Sequence, residues 1–437
     1  MTPSFLRLTD ALTLRVCQTE KFKAGMLAVS AVLPIERGSV YKTTLLLSVL
    51  RRGTEKYPTL AKLNQRLDYL FGTELSIRNL YRGDVQIIGF SAELLDAAYL
   101  PLGEDTLGEV LDVMAEILFH PKLDADGLLD ARYVESEKQL QCDAIRAQKN
   151  NPRAYAADRC RALLYENEPC GAPVMGDEER IMAITPSELT AHWRYLVSNM
   201  TLDCFYVGTR PEREVAAGLT DRIAVELTAK KGLSLGACAS SVAPLSEVVR
   251  RDEALEVTQG QLILGLVTGI TVCDKDYPAC MVFNEMLGSS PVSKLFVNVR
   301  EKLSLCYHCS SAYNAYKGAI LITCGLAREN REPAEREIMA QLRALAEGDF
   351  SEEELASARC SLAGAFRQLE DSPAALENFY FGRALAGVGD TVEDCRNAFL
   401  SVTREEVIAV ARAVTVNTVY YLDGTGVGGE ELCDEED

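Results

Sequence analysis

Histidine is scarce in this sequence. Only His120, His192 and His308 occur among 437 residues, and no two are spaced to share one helix face as a ligand pair. A metal site built on paired imidazoles is therefore not expected. Long apolar runs are also missing. The run "QLILGLVTGITV" is too short to span a bilayer and is rich in β-branched residues, so no membrane partner is expected. Basic residues are outnumbered: 45 Lys and Arg against 64 Asp and Glu give a net charge of −19. Such a chain repels phosphate backbones and shows no basic stripe, which argues against nucleic acid as a partner. The N-terminal "MTPSFLRLTDALTLRV" lacks a basic region followed by an apolar core. That sets the expectation of a cytoplasmic protein.

What is present is ordinary for a globular chain, with 48% hydrophobic and 25% charged residues. The length exceeds one compact core, so two or more domains are expected. The fourteen cysteines are scattered, which suits reduced and mostly buried thiols better than a disulfide framework. The end, "GVGGEELCDEED", reads as a solvated acidic tail over 426–437.

The sequence divides into halves of similar order. "MLAVSAVLP" from Met26 and "QLILGLVTG" from Gln261 are β-like openings. "TTLLLSVLRRG" and "YPACMVFNEMLGS" follow as helical stretches. The paired strands "LSIRNLYRGDVQIIGFSAE" and "CSSAYNAYKGAILITCGLARE" come next, and Tyr81-Arg82-Gly83 matches Tyr316-Lys317-Gly318. Each glycine suits a hairpin turn. Helical segments follow in both halves, and Thr185 and Thr403 stand at N-cap positions with acidic residues just after them. This order predicts an α+β fold of two homologous domains, each an antiparallel-rich sheet with helices packed on it. The expected boundaries are 1–228 and 229–425, joined in the Gly-, Ala- and Ser-rich "AKKGLSLGACASSVAPLSEVVRRDEA".

The stretch "TTLLLSVLRRGTEKYP", Thr43 to Pro58, has the frame of a metal-binding helix and its following turn. It resembles the zinc helix of the insulinase/pitrilysin (M16) metallopeptidases, whose inverted motif His-x-x-Glu-His precedes a short Gly-Thr turn. Alignment on Gly53-Thr54 puts Thr44, Leu47 and Ser48 where the first His, the Glu and the second His belong. None of the three carries an imidazole or a carboxylate. Anchoring on Glu137-Lys138 puts the family's third ligand near Ala144, beside Asp143. The resemblance thus implies a chain without the catalytic zinc: no catalytic residue, no metal and no cofactor. His120, before a proline at a helix end, reads as a capping or surface residue. His192, next to the single tryptophan, reads as a helix-packing residue.

The second half keeps what the first has lost. "SKLFVNVREKLSLCYHCSSAY" resembles the family's substrate-contacting segment through Ser293, Leu295, Phe296, Arg300, Glu301, Lys302, Leu305, Tyr307, Ser310, Ser311 and Tyr313, with Lys294 in place of an Arg. By resemblance Arg300 and Tyr307 are the substrate-binding pair. An Arg fork can grip a peptide carbonyl or carboxylate, and a Tyr hydroxyl can donate to an oxyanion. "LFGTELSIRN" resembles the strand on which family members lay an extended peptide, although an internal strand would read the same way.

"CYHC", Cys306 to Cys309, has a redox or zinc spacing. On a strand the side chains alternate, which would put Cys306 and His308 on one face and Tyr307 and Cys309 on the other, separating the thiols.

The resemblance spans nearly the whole chain and is strongest to proteins labelled inactive metalloproteases in Gram-positive bacteria. It implies a mitochondrial-processing-peptidase-type (LuxS/metallohydrolase-like) fold. It further implies a non-catalytic, substrate-binding subunit of a heterodimeric zinc peptidase, with a zinc-bearing M16 subunit and a peptide as partners and self-pairing when purified alone. The alternative is a scaffolding protein that kept the fold without peptidase function. No Ser/His/Asp or Cys/His set stands out for independent chemistry.

Overall fold

The computed structural model describes residues 2–101, 104–227 and 237–424. The expected domain boundary at 228/229 and the acidic tail 426–437 lie outside the described residues. Among the described residues, eleven strands form two sheets with helices packed on them. In the first half these are β1 (Ser4–Arg7), β2 (Leu12–Gln18), β3 (Ala24–Pro34), β4 (Leu75–Arg82), β5 (Val85–Leu95) and β6 (Leu202–Gly208). In the second they are β7 (Val249–Leu255), β8 (Gly260–Val267), β9 (His308–Asn314), β10 (Ala319–Leu326) and β11 (Thr415–Gly424).

The first sheet runs β1-β2-β6-β3-β5-β4 and the second β7-β11-β8-β10-β9. One pair in each is parallel, β2 with β6 and β7 with β11, and the remaining pairs are antiparallel. Set β1 aside and the two orders coincide. The central strands β3 and β8 are buried along nearly their whole length, which is why they read as continuous apolar runs rather than alternating ones. The hairpins β4–β5 and β9–β10 turn at Gly83 (φ 57°) and Gly318 (φ 55°). A side chain disfavours that left-handed backbone, so the matched glycines serve the turn. Thr185 and Thr403 both cap helices through full capping boxes, with Glu188 and Glu406 returning the bond to the cap backbone.

Compact units gather residues from both halves of the chain. The first contains residues 1–146, 167–240 and 365–394, and the second contains 147–166, 241–364 and 395–437. The helix Pro152–Leu164 therefore belongs with the second sheet. Its Ala156 and Cys160 are buried with Ile263 of β8 and with Tyr420 and Leu422 of β11. Tyr155 donates to Glu253 of β7 at 2.6 Å. In return the helix Pro373–Leu385 belongs with the first sheet, where Glu377 accepts from Arg78 of β4 at 2.9 Å, both side chains being buried.

Among the described residues, no helix is long and apolar enough to cross a membrane.

Candidate substrate-contact site and the degenerate zinc helix

The stretch that resembles a zinc helix forms the helix Val40–Leu50. It buries eight of its eleven residues, so it is a core helix rather than a surface one with a single apolar stripe. Leu47 is 2% exposed and lies in the first unit's apolar cluster with Leu67 and Met114. Thr44 is half-buried and its hydroxyl is already engaged. It donates to the carbonyl of Val174 at 2.7 Å and accepts from Asn79 Nδ2 at 2.9 Å. Ser48 is half-buried, and Ala144, near the third ligand position, is exposed. Glu137 survives as a structural ion-pair partner of Arg52. Lys138 is buried and donates to the Ile184 carbonyl at 3.0 Å. The motif helix offers neither an imidazole nor a carboxylate to a metal.

His120 caps the helix Thr106–Phe119 at its C-terminal end and meets Glu226 at 3.3 Å. His192 packs on the motif helix, its Nε2 lying 2.9 Å from Thr43 Oγ1. Burial, assisted by the charge of Lys42, lowers its pKa from 6.5 to about 4. The folded state keeps this imidazole neutral while the unfolded state takes a proton below pH 6.5, so stability is lost as pH falls from about 6.5 towards 4. His308, lowered to about 4 chiefly by burial, acts in the same direction. A His192→Gln variant is expected to lose less stability than the parent between pH 7 and pH 5 in urea unfolding. Equal losses would show that the imidazole titrates normally in the fold.

The second unit carries the other candidate site. Residues Leu295–Lys302 form a wide π-helical turn, a form concentrated at functional sites. Its end is closed by Leu303 N–H donating to the Asn298 carbonyl at 3.2 Å and Ser304 N–H to the Arg300 carbonyl at 3.1 Å. Ser304 takes a left-handed backbone (φ 50°), which turns the chain towards β9. Tyr307 N–H then joins the ladder at the Gly325 carbonyl, 2.8 Å away. Arg300 and Tyr307 thereby come to line one open cavity of about 420 Å³, together with Ser304, Leu305, Cys306 and Asn330. Tyr307 is 59% exposed, unlike a core tyrosine. The Arg300 guanidinium lies over the Phe296 ring at 4.7 Å and approaches Glu301 at 3.6 Å, leaving much of its fork open to solvent.

Other residues of the matched segment are structural. Ser293 and Leu295 are buried, Ser311 donates to the Asn284 carbonyl at 3.3 Å, and Tyr313 donates to the Ile270 carbonyl. In the first sheet, β4, which contains the second half of "LFGTELSIRN", is an outer strand rather than an internal one.

The cysteines correct a reading from spacing. Strand alternation predicted that Cys306 and Cys309 would point apart, but β9 begins only at His308. Cys306 precedes the strand, so alternation does not govern it. Its thiol joins Cys309 and also Cys324 of β10, with the three sulfurs within 4.8 Å of one another. Among the described residues this is the one group of His, Cys, Asp and Glu side chains that brings three ligand atoms together. Cys324 was not singled out from sequence. The register that sets it opposite Cys309 is a property of the ladder, although its place near the end of the alternating "AILITCGL" was a usable signal.

An α+β chain with two sheets, a motif helix without ligand side chains and a solvent-facing Arg/Tyr cavity has the make-up of a peptidase relative that lacks the zinc-binding residues. The comparisons agree. The family model described as "Peptidase M16 inactive domain" matches residues 184–362. The chain is 31% identical to the probable inactive metalloprotease YmfF of Bacillus subtilis (strain 168), over 95% of this chain and 96% of that one. It is 22% identical to the uncharacterized zinc protease YmxG of the same organism, over 75% and 77% of the two chains. Among solved structures, a conserved protein from Enterococcus faecalis V583 superposes with a TM-score of 0.90 at 24% identity, covering 98% of this chain and all of that one. The M16 inactive domain from Pseudomonas fluorescens gives 0.78 at 18% identity, with 98% and 100% coverage. The chain belongs to the M16 (insulinase/pitrilysin) metallopeptidase family, as a non-catalytic member.

Proposed function

We propose that this chain is the substrate-binding subunit of a heterodimeric zinc peptidase, supplying Arg300 and Tyr307 to the active site of a zinc-bearing M16 partner. The observation that carries this reading is a contrast. The two ligand positions of the motif helix hold Thr44 and Ser48 and its general-base position holds Leu47, whereas Arg300 and Tyr307 face solvent at one cavity. A side chain kept only for packing would be covered, and a tyrosine this exposed gains little by burial. The planar guanidinium fork suits a peptide carbonyl or carboxylate, and the phenol suits the oxyanion formed when a partner's zinc-activated water attacks. The outer position of β4 supports an extended peptide as substrate, since an outer strand can pair its free edge with a peptide backbone. The coincident strand orders support two homologous domains, 1–228 and 229–425, arising from an internal repeat. A cytoplasmic location and self-pairing of the isolated chain complete the reading.

The test is reconstitution. A neighbouring gene for an intact His-x-x-Glu-His subunit identifies the partner to mix with this chain. Peptide cleavage that is absent or weak for either chain alone, strong for the mixture and abolished by chelator is the expected result. No complex and no gain in cleavage would leave the scaffolding alternative.

A further inference from the structure

We propose that Cys306, Cys309 and Cys324 form a three-thiolate binding site for a thiophilic d10 metal ion, with copper(I) as the best-matched occupant. The site is independent of the motif helix and of the Arg300/Tyr307 reading.

The geometry is set by the backbone. Cys309 and Cys324 are directly paired residues on β9 and β10, so their side chains leave the same face of the sheet as close neighbours. Cys306 is brought onto them by the turn at Ser304 and by the bond from Tyr307 N–H to Gly325. Cys309 and Cys324 are buried, and Cys306 is half-buried at the wall of the open cavity. The result is a buried sulfur triad with the Cys306 residue at the cavity wall. Three ligand atoms within 4.8 Å need only small adjustments to share one ion, given metal–sulfur bonds of about 2.3 Å.

The chemistry of the donor set selects the ion. All three ligands are soft sulfur, which favours copper(I) or zinc(II) over hard cations. No fourth side-chain ligand joins the group among the described residues. Copper(I) is satisfied by three thiolates, whereas zinc(II) prefers four ligands and would need water from the cavity. On binding, three metal–sulfur bonds form, and the thiol protons leave to solvent. No electrons are transferred.

The experiment uses the full chain, reduced and without oxygen, carrying Cys273→Ser and Cys360→Ser to remove two exposed thiols. Copper(I) is titrated against bathocuproine disulfonate, and zinc(II) separately against a chromogenic zinc chelator. One copper(I) per chain held against the chelator, and zinc held more weakly, is the expected result. Cys306→Ala, the half-buried position least able to disturb folding, should weaken retention by more than the roughly 10- to 100-fold that loss of an outer-shell partner costs. The combined Cys306→Ala, Cys309→Ala and Cys324→Ala variant should abolish it. Tighter zinc than copper binding, with cobalt(II) giving thiolate charge-transfer bands, would keep the site and change its occupant. Failure to hold one equivalent of either ion, or retention unchanged in the alanine variants, overturns the proposal.

Discussion

Mixed with the zinc-bearing partner, Tyr307→Phe should lower peptide turnover by about 10² to 10³, equivalent to roughly 3–4 kcal/mol of transition-state stabilisation. The variant keeps the ring and removes one donor. Tyr307 is 59% exposed, so the loss should come without a fall in melting temperature. Arg300→Lys keeps the charge but loses the planar fork and the guanidinium's stacking on Phe296. It should also be impaired at unchanged stability. Turnover and thermal melting must be measured on the same preparations. Parental turnover from both variants would remove the substrate role, and a large melting shift with it would mark the pair as structural.

The second large effect is expected from rebuilding the zinc motif. Thr44→His, Leu47→Glu and Ser48→His together restore its letters but not its setting. Leu47 is a core residue, and the Thr44 hydroxyl already serves Val174 and Asn79. A carboxylate placed at position 47 without a cation is a buried, uncompensated charge, which costs about 3–5 kcal/mol. For a unit of this size that corresponds to a fall in melting temperature on the order of 10 °C. Ala144 still leaves the third ligand position empty, so no cleavage should be gained. Chelator-sensitive cleavage by this variant alone would refute the account of why activity is absent.

Much of the fold was legible because it rests on local signals. β3 and β8 announce themselves as apolar runs, Gly83 and Gly318 mark hairpins, and Thr185 and Thr403 mark helix starts. The frame of the motif helix was legible, and Arg300 and Tyr307 stood out by resemblance, while the cavity they share needed the fold. Long-range features were not legible. The strand partner of Cys309 depends on register across a ladder, and the meeting of Cys306 with it depends on where β9 starts. The burial of Leu47 on a helix that reads as amphipathic depends on what covers the far face. The short β1 and β7 carry weak alternation and are defined mainly by the strands they join.

The exchanged helices bear on how the polypeptide reaches this fold. The sheet made from the earlier part of the sequence includes in its unit a helix, Pro373–Leu385, from the later part. Until that segment emerges, Arg78 lacks Glu377 and a buried cation has no counter-charge. Such distant pairings raise contact order and slow folding, because the chain must close long loops before contacts reward it. A first unit still without that helix would leave apolar surface open, the kind of partly folded species that is prone to aggregation. Cutting the chain at its midpoint would separate each sheet from one helical segment of its compact unit.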